Sequence, residues 1–363
     1  MKSSQSGESR YPPQMQRIEN REMIFKLIDY KQWRTIMVRF ILKRILLLIP
    51  VIIAVSFIVF ALLELTPGDA LDVIIARGGG ELTAEQIAQL REELNLDRSM
   101  FYRYALYMGN LVRGDLGVSN LTGLSVWSTF MQRLPYTLIL SFTALILGMA
   151  FAVPMGIIAS RNAGKLADNV ATVFTLVGMS MPVFWIGLLM IILFSGRLGW
   201  LPPATAGETP VEFLRTLIMP AICSGLSLTA STARQTRSSM LEVLKADFLR
   251  TAKAKGVPEE TVVRRHALGN AWIPIITAAG ASFCAQLAGS VVVESVFAWP
   301  GIGRMAAEAV FSRDETTLLG TIILTTVLYV LVQMIVDVLY AFIDPRIKSQ
   351  YSGNKRRRRQ VTA

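Results

Sequence analysis

Long apolar runs separated by polar segments dominate the pattern of hydrophobic and polar positions along this chain. Six runs lack Asp, Glu, Lys and Arg over the length that a bilayer-crossing helix needs, roughly 17–25 residues. A charge at the centre of such a helix costs about 2.5–3.5 kcal/mol on insertion scales, so six charge-free runs indicate six transmembrane helices. The runs are Ile45–Leu63, Thr137–Ile158, Val170–Gly196, Thr216–Ala233, Ala267–Val293 and Thr316–Val336.

Composition supports the same interpretation. The chain has 363 residues, of which 52% are hydrophobic and only 17% are charged. Soluble domains carry about 25% charged residues, so the low share points to lipid surroundings. Cys223 and Cys284 lie inside apolar runs without a neighbouring Cys, His or acidic cluster, which argues against a disulfide or a metal site. The sequence therefore predicts an all-α integral membrane protein.

The distribution of basic residues predicts the orientation. If the residues before Ile45 are cytoplasmic, the inner segments hold 27 of the 37 Lys and Arg residues, and every lysine lies inside. The positive-inside rule then places both termini in the cytoplasm. The basic run Lys355–Arg359 could bind nucleic acid, but a solvated tail near anionic headgroups is the simpler explanation. We therefore expect membrane lipid, and no nucleic acid, as a partner.

The segment after the first run differs from the other connections by its length. An N-cap pattern at Thr83 and an amphipathic pattern over Phe101–Val112 predict a short helical insertion there. The segment is too short for a catalytic domain. The expected segments are a cytoplasmic N-terminal extension (1–36), the first transmembrane helix (37–66), an extracytoplasmic segment (67–133), a membrane core (134–347) and a basic cytoplasmic tail (348–363).

The loop 234–270 is the most informative polar segment. It carries helix-forming residues on both sides of Gly256-Val257-Pro258, which is more than a simple connection needs. Gly256 suits the left-handed residue that ends a helix, and Pro258 suits the first turn of the next helix. The pattern predicts a helix–turn–helix that another protein grips, although a basic loop held by lipid headgroups is the alternative. The gripped residues would be Arg250, Thr251, Ala252, Lys253, Ala254, Lys255 and Gly256.

This loop also carries a family resemblance. The pattern over Arg250–Gly256, followed by His266-Ala267-Leu268 and Ile273-Pro274, resembles the EAA loop of ABC importer membrane subunits. More narrowly, it is similar to the first permease of dipeptide, oligopeptide and nickel importers. The chain has Arg250-Thr251 where the name's Glu-Ala would fall, a form usual in the peptide branch. Further matching motifs are Thr66-Pro67-Gly68-Asp69, Leu90-Arg91-Glu92-Glu93-Leu94, Arg113-Gly114-Asp115-Leu116-Gly117, Arg197-Leu198-Gly199-Trp200-Leu201-Pro202, Thr236-Arg237-Ser238-Ser239-Met240 and Asp344-Pro345-Arg346-Ile347.

The resemblance implies a type I ABC importer permease fold in a bacterial or archaeal cell membrane. It further implies a second, homologous permease, two ATP-binding subunits that hold ATP and Mg, and an extracytoplasmic substrate-binding protein. Peptides are the leading substrate class, and nickel or metal-chelate complexes are the alternative. The chain itself is expected to bind no cofactor, because Gly164-Lys165 is followed by Leu166 and no G-x-x-x-x-G-K-[ST] loop is present.

An ATP-independent channel or secondary transporter is the competing class. Such a protein predicts charge pairs within the membrane or inverted repeats, and neither is evident in the sequence. Polar or helix-breaking residues inside the runs are candidates for a hydrated substrate path, while interhelical hydrogen bonds and kinks are the alternative roles. These candidates are Met179, Ser180, Pro182, Gln286 and Glu294.

Overall fold

The computed structural model describes residues 13–65, 71, 83–93, 95–203 and 205–343. In these ranges the chain is helical apart from loops and one isolated antiparallel bridge between Val118 and Ser125. The α-helices are α1 (Pro13–Leu65), α2 (Ala84–Glu93), α3 (Met100–Val112), α4 (Val126–Arg161), α5 (Leu166–Ser180), α6 (Val183–Met190), α7 (Pro210–Leu244), α8 (Asp247–Ala254), α9 (Glu259–Thr261), α10 (Leu268–Gly289), α11 (Val291–Val296), α12 (Ile302–Phe311) and α13 (Glu315–Ile343).

Two short π-helical segments complete this list. Ile191–Arg197 extends α6, and Val262–Ala267 joins α9 to α10. Residues 51–345 form one compact unit, and the contacts below lie within it. Residues 13–50 of α1 belong to a second unit. The expected tail, 348–363, lies outside the described residues.

The prediction of an all-α membrane protein is confirmed. Within the described residues, five helical stretches are long and apolar enough to cross a membrane: Ile41–Leu65, Val126–Arg161, Pro210–Leu244, Glu259–Leu287 and Glu315–Leu339. Helix α5 and helix α6 with its π-helical extension form a broken pair. If this pair is counted as one span, the number of spans is six. The two parts of this pair meet at 100°.

The break in the third apolar run has a local cause. Met181 has an extended backbone, with φ −75° and ψ 130°, and Pro182 occupies the N-cap of α6. A residue that precedes proline is sterically disfavoured in the helical region, and proline has no N–H to continue the helix. The interruption expected around Met179–Pro182 is therefore where the helix direction changes.

Close packing of α4 against α7 forms the centre of the bundle. Gly156 lies so near to α7 that a Cβ atom there would be 2.5 Å from the Cβ of Thr236 and 2.8 Å from the carbonyl oxygen of Ala233. At Gly225, a Cβ would be 3.2 Å from the carbonyl oxygen of Ala144, which is itself fully buried. Small residues let two backbones approach in this way, which is a common means of association for membrane helices.

A partly buried ion pair joins α5 to the same centre. Nε of Arg237 lies 2.5 Å from Oδ1 of Asp168, and a terminal guanidinium nitrogen lies 2.7 Å from Oδ2. The backbone N–H of Gly164 donates a further hydrogen bond of 2.9 Å to Oδ2. Because the carboxylate is buried and accepts all of these bonds, loss of either charged partner would leave an uncompensated charge.

The insertion after the first span packs against the end of the bundle where α1 ends and α13 begins. Arg103 of α3 lies 2.9 Å from Glu64 at the end of α1 and 2.6 Å from Glu315 at the start of α13. The hydroxyls of Tyr104 and Ser56 lie 2.9 Å apart, which further ties α3 to α1. This arrangement joins the first and last spans through one arginine. We call this side of the bundle the insertion end.

We expect Gly156→Ala to lower the thermal stability of the purified protein, because the added methyl group would collide with Thr236. Overpacking of a tight interior contact costs about 1–3 kcal/mol. Gly109→Ala is the matched control, since a Cβ added at Gly109 in α3 would meet no heavy atom within 4 Å, and alanine favours a helix. Thermal unfolding in detergent measures both variants. Equal midpoints would contradict the close-packing interpretation.

Candidate functional site

The candidate interaction site is a helical elbow at the other end of the bundle. Residues 247–267, here called the elbow, comprise α8, a turn, α9 and the π-helical segment that leads into α10. The turn depends on Gly256, whose φ of +77° lies in the left-handed region that glycine adopts without strain. Its N–H donates to the carbonyl of Lys253 at 3.0 Å, and Pro258 forms the N-cap of α9. The local chemistry of Gly256 and Pro258 thus produces the predicted helix–turn–helix.

An apolar face fixes the elbow to the bundle. Leu249 of α8 is only 1% exposed and belongs to a buried cluster with Met240 of α7 and Val262 and Val263 of the elbow. Ala252 is partly buried against the same cluster. Full burial of a Leu side chain contributes about 1.5–3 kcal/mol. The elbow is therefore a packed extension of the bundle, and a force on α8 reaches α7 and α10 through these contacts.

The opposite face of the elbow is open and basic. Arg250 has an ion-pair distance of 3.7 Å to Asp247 on its own helix, but its side chain is 79% exposed. An exposed pair of this kind contributes little and can exchange for a better partner. The structure therefore places the predicted interaction residues on one surface, with Ala252 at its boundary. The exposed members are Arg250, Thr251, Lys253, Ala254, Lys255 and Gly256.

A second connection at the elbow is not evident from the sequence. Glu260 of α9 lies 3.0 Å from Arg161 at the end of α4 and 2.5 Å from Arg264 in the π-helical segment. The elbow thus contacts α4 as well as α7 and α10. Only the i,i+4 spacing of Glu260 and Arg264 is visible in the sequence, because Arg161 is 99 residues away.

The candidate path residues divide into three groups. Met179, Ser180 and Pro182 are exposed at the break between α5 and α6. Gln286 of α10 is partly buried, and its amide nitrogen has no hydrogen-bond partner within the described residues. Glu294 of α11 is separate from both and is 0% exposed. The structure therefore does not bring the five candidates onto one surface.

Glu294 holds the insertion end together. Its Oε1 accepts hydrogen bonds of 2.8 Å from the hydroxyls of Thr137 and Ser290, and its Oε2 accepts one of 3.0 Å from the N–H of Arg304. Arg304 lies in the first turn of α12, where free N–H groups favour a negative charge. Thr137 also accepts the N–H of Ile302 at 2.8 Å. In this conformation Glu294 anchors α12 to α4 and does not line an open path, because no part of it is exposed.

Helix α7 presents two different exposed surfaces. One is a stripe of polar side chains on its face toward α10, here called the polar stripe and formed by Ser227, Ser231, Arg234 and Ser238. Their spacings of four, three and four residues keep them on one helix face. The hydroxyls of Ser231 and Ser282 of α10 lie 3.5 Å apart. The spacing can be recognised in the sequence. However, the fourth charge-free run ends at Ala233, so Arg234 and Ser238 are assigned to the loop that follows it.

Nearly opposite the polar stripe, α7 borders an apolar groove. Ile222 and Leu226 line it together with residues of α4 and α5, among them Phe151 and Phe174. The cavity has a volume of about 890 Å³. Such an apolar surface suits lipid chains or another apolar helix, whereas hydroxyls and a guanidinium require water or polar partners.

Potential metal ligands are dispersed. In the described part of the chain, no three His, Cys, Asp or Glu side chains lie close enough to hold a metal ion. Cys223 and Cys284 are both buried and unbonded to each other. The elbow, the polar stripe and the exposed break in the third apolar run are the candidate surfaces for function.

Known proteins are similar to this chain in sequence and in fold. Residues 152–349 match the family described as "Binding-protein-dependent transport system inner membrane component", and residues 37–143 match its N-terminal companion. The di/tripeptide transport system permease protein DppB of Pseudomonas aeruginosa (strain UCBPP-PA14) is 39% identical over an alignment of 337 residues, and the match covers 86% of this chain and 100% of the relative. The dipeptide permease DppB of Escherichia coli (strain K12) is 36% identical over 338 residues, covering 86% and 99% of the two chains.

Two further comparisons extend this result. The glutathione transport system permease protein GsiC of Escherichia coli (strain K12) is 37% identical over 312 residues, or 86% of this chain and 99% of the relative. Among solved structures, an inward-facing MetNI methionine ABC transporter matches with a TM-score of 0.51 over 60% of this chain and 96% of that chain. At 16% identity the structural match shows only the fold, which is that of a type I ABC importer permease.

The two family matches together span most of the chain, and the alignments with the named permeases cover most of both aligned sequences. The expected resemblance is confirmed: this multi-pass membrane protein belongs to the family of inner-membrane components of binding-protein-dependent transport systems.

Proposed function

We propose that this chain is the permease subunit of an ATP-driven peptide importer and forms half of its translocation path. The observation that carries this proposal is the elbow, whose basic face is open while its apolar face is packed into the bundle. Three relatives named for di/tripeptide, dipeptide and glutathione transport support a peptide substrate. The complete importer contains a second permease, two ATP-binding subunits that hold ATP and Mg, and an extracytoplasmic binding protein.

The orientation follows from charge. The elbow and the basic termini lie in the cytoplasm of a bacterial or archaeal cell, and the insertion end lies outside. The excess of Lys and Arg in these segments supports this arrangement through the positive-inside rule. An ATP-binding subunit meets the elbow on the cytoplasmic side, while the binding protein delivers substrate at the insertion end.

Coupling runs through the elbow as a rigid lever. Arg250, Lys253 and Lys255 provide the charge that an acidic cleft on the ATP-binding subunit binds, and the small side chains allow close approach of the backbones. Movement of α8 passes through Leu249 to α7 and through Val262 to α10. Packed interiors transmit such shifts because they are close-packed and hardly compressible. The helices then rock as bodies and open the path on alternate sides.

The polar lining of the path is proposed to include the exposed break in the third run and Gln286. Met179, Ser180 and Pro182 lie where the helix direction changes, so freed backbone groups are available to a hydrated substrate. The amide nitrogen of Gln286 is buried without a partner in this conformation, and it becomes a donor to a peptide group of the substrate once the helices move apart. Glu294 acts on the path indirectly, because it holds α12 in place.

The direct test is uptake of a labelled dipeptide by vesicles that contain the complete importer. We expect accumulation only with the binding protein outside and with ATP and Mg available to the ATP-binding subunits. Accumulation without nucleotide would contradict the proposal and favour a channel or secondary transporter.

We expect Ala252→Arg and Gly256→Pro to reduce substrate-stimulated ATP hydrolysis to the basal rate while the protein still inserts into the membrane. A long charged side chain at Ala252 disrupts contact with the buried cluster, and proline cannot adopt the positive φ of Gly256. Ala163→Arg makes the same chemical change on another exposed loop and should retain stimulation. Full stimulation in both elbow variants of the reconstituted complex would count against the coupling role.

Gln286→Leu and Glu294→Gln should separate a path residue from an anchor. Gln286→Leu should reduce uptake several-fold with an unchanged or higher melting midpoint, because it removes a buried amide without a partner. Glu294→Gln should instead lower stability by about 1–3 kcal/mol, because one acceptor of a buried network becomes a donor.

The control for the anchor is Glu308→Gln, a substitution of a carboxylate that is 44% exposed and should change stability little. Thermal unfolding and uptake are measured on the same preparations. A stability loss in Gln286→Leu equal to that in Glu294→Gln would make Gln286 a structural residue.

A further inference from the structure

Arg234 stands out among the cations of the bundle. Its side chain is exposed on α7, and within the described residues it has no hydrogen bond, ion pair or aromatic contact. Arg237, three residues further along the same helix, is bound by two hydrogen bonds to Asp168. Two arginines of similar position thus differ completely in pairing. Arg234 retains the full hydrogen-bonding capacity of its guanidinium group.

The depth of Arg234 makes this lack of a partner significant. Asp168 lies in the first turn of α5, at the cytoplasmic end of the third apolar run. Helix α7 runs toward the cytoplasm, so Arg234 lies almost one turn, or about 4.5 Å, deeper in the membrane than Arg237. A charge that faces lipid at this depth is disfavoured unless it is paired or hydrated. Arg234 therefore requires either water or a negatively charged partner.

The surroundings of Arg234 favour a hydrated surface. It shares the polar stripe with Ser227, Ser231 and Ser238, whereas the apolar surface of α7 lies almost opposite, around Ile222. No acidic residue belongs to the stripe. The guanidinium is thus the single charge among neutral hydroxyls.

Helix α10 continues the same surface. The hydroxyl of Ser282 lies 3.5 Å from that of Ser231, which sets the two helices in register. The helices run in opposite directions, so Gln286, one turn beyond Ser282, lies at the depth of Ser227. Gln286, whose unpaired amide nitrogen is buried, therefore lies toward the outer end of this row of polar side chains, and the exposed guanidinium of Arg234 lies toward its inner end.

We propose that Arg234 binds the C-terminal carboxylate of a peptide during its passage, while the hydroxyls and Gln286 bind peptide groups. This inference rests on the proposed peptide-import function. Every linear peptide with a free C-terminus carries that carboxylate, whatever its side chains. A guanidinium matches it with two parallel hydrogen bonds, which neutral hydroxyls cannot do. One arginine thus binds the group that these peptides share, without selecting among their side chains.

The test compares a peptide with and without its terminal charge. Binding of dialanine and of dialanine amide is measured by saturation-transfer NMR on the complex of permeases and ATP-binding subunits in nanodiscs, without the binding protein. The wild type should favour the acid over the amide by about tenfold, as expected for one charge-assisted pair in a partly hydrated site. Arg234→Gln should abolish the preference, and Arg234→Lys should keep part of it.

Arg237→Gln is the matched control, because its arginine is occupied by Asp168. This variant should lose stability but keep the preference for the acid. An unchanged preference in Arg234→Gln, or an equal loss in Arg237→Gln, would overturn the proposal. So would failure of the Arg234→Gln complex to assemble while Arg237→Gln assembles, since Arg234 would then pair with a carboxylate of a partner chain.

The proposed function is checked separately by uptake of dialanine into vesicles that contain the wild-type importer and its binding protein. Uptake without any preference for the acid in the binding assay would overturn only the role of Arg234. Absence of uptake would instead overturn the peptide-import function.

Discussion

The requirement that a charge within or near the hydrocarbon region be paired, hydrogen-bonded or hydrated governs the arrangement of this bundle. Asp168 and Arg237 meet this requirement with a two-pronged ion pair between α5 and α7. Glu294 meets it with two hydroxyls and one backbone N–H, and the described part of the chain places no cationic side chain against it. Each solution joins helices that are far apart in sequence. Polar groups therefore determine which helices meet in a bundle whose outer surface is largely apolar.

The contact between α4 and α7 is the mechanical centre of the molecule. The two helices have 36 and 35 residues, or about 54 and 52 Å at 1.5 Å per residue, so they exceed the 30 Å hydrocarbon layer. Gly156 and Gly225 bring their backbones together. At one end α4 meets Glu260 of the elbow, and at the other its Thr137 contacts Glu294. A single close-packed pair thus connects the elbow with the insertion end.

Local features of the chain are predictable from sequence, whereas partners are not. The spans follow from missing charges, the break follows from Pro182, and the elbow follows from Gly256 and Pro258, because each depends on a few neighbouring residues. Sequence reasoning assigns Glu294 to a path because its partner Thr137, 157 residues away, cannot be found locally. Arg234 shows a related limit, since the charge-free run ends one residue before it and the sequence alone treats it as part of a loop.

The π-helical segment Val262–Ala267 has a consequence for how the elbow and the membrane helix can move. A π turn accommodates one residue more than an α turn of equal height. Conversion of this segment to regular α-helix would advance one side by about 1.5 Å and twist it by about 100° relative to the other. The π-helical segment therefore contains one extra residue, and loss of the π turn would rotate α10 relative to the elbow. Because Ala271 and Ile275 of α10 belong to the same buried cluster as Leu249, such a conversion would also repack that cluster.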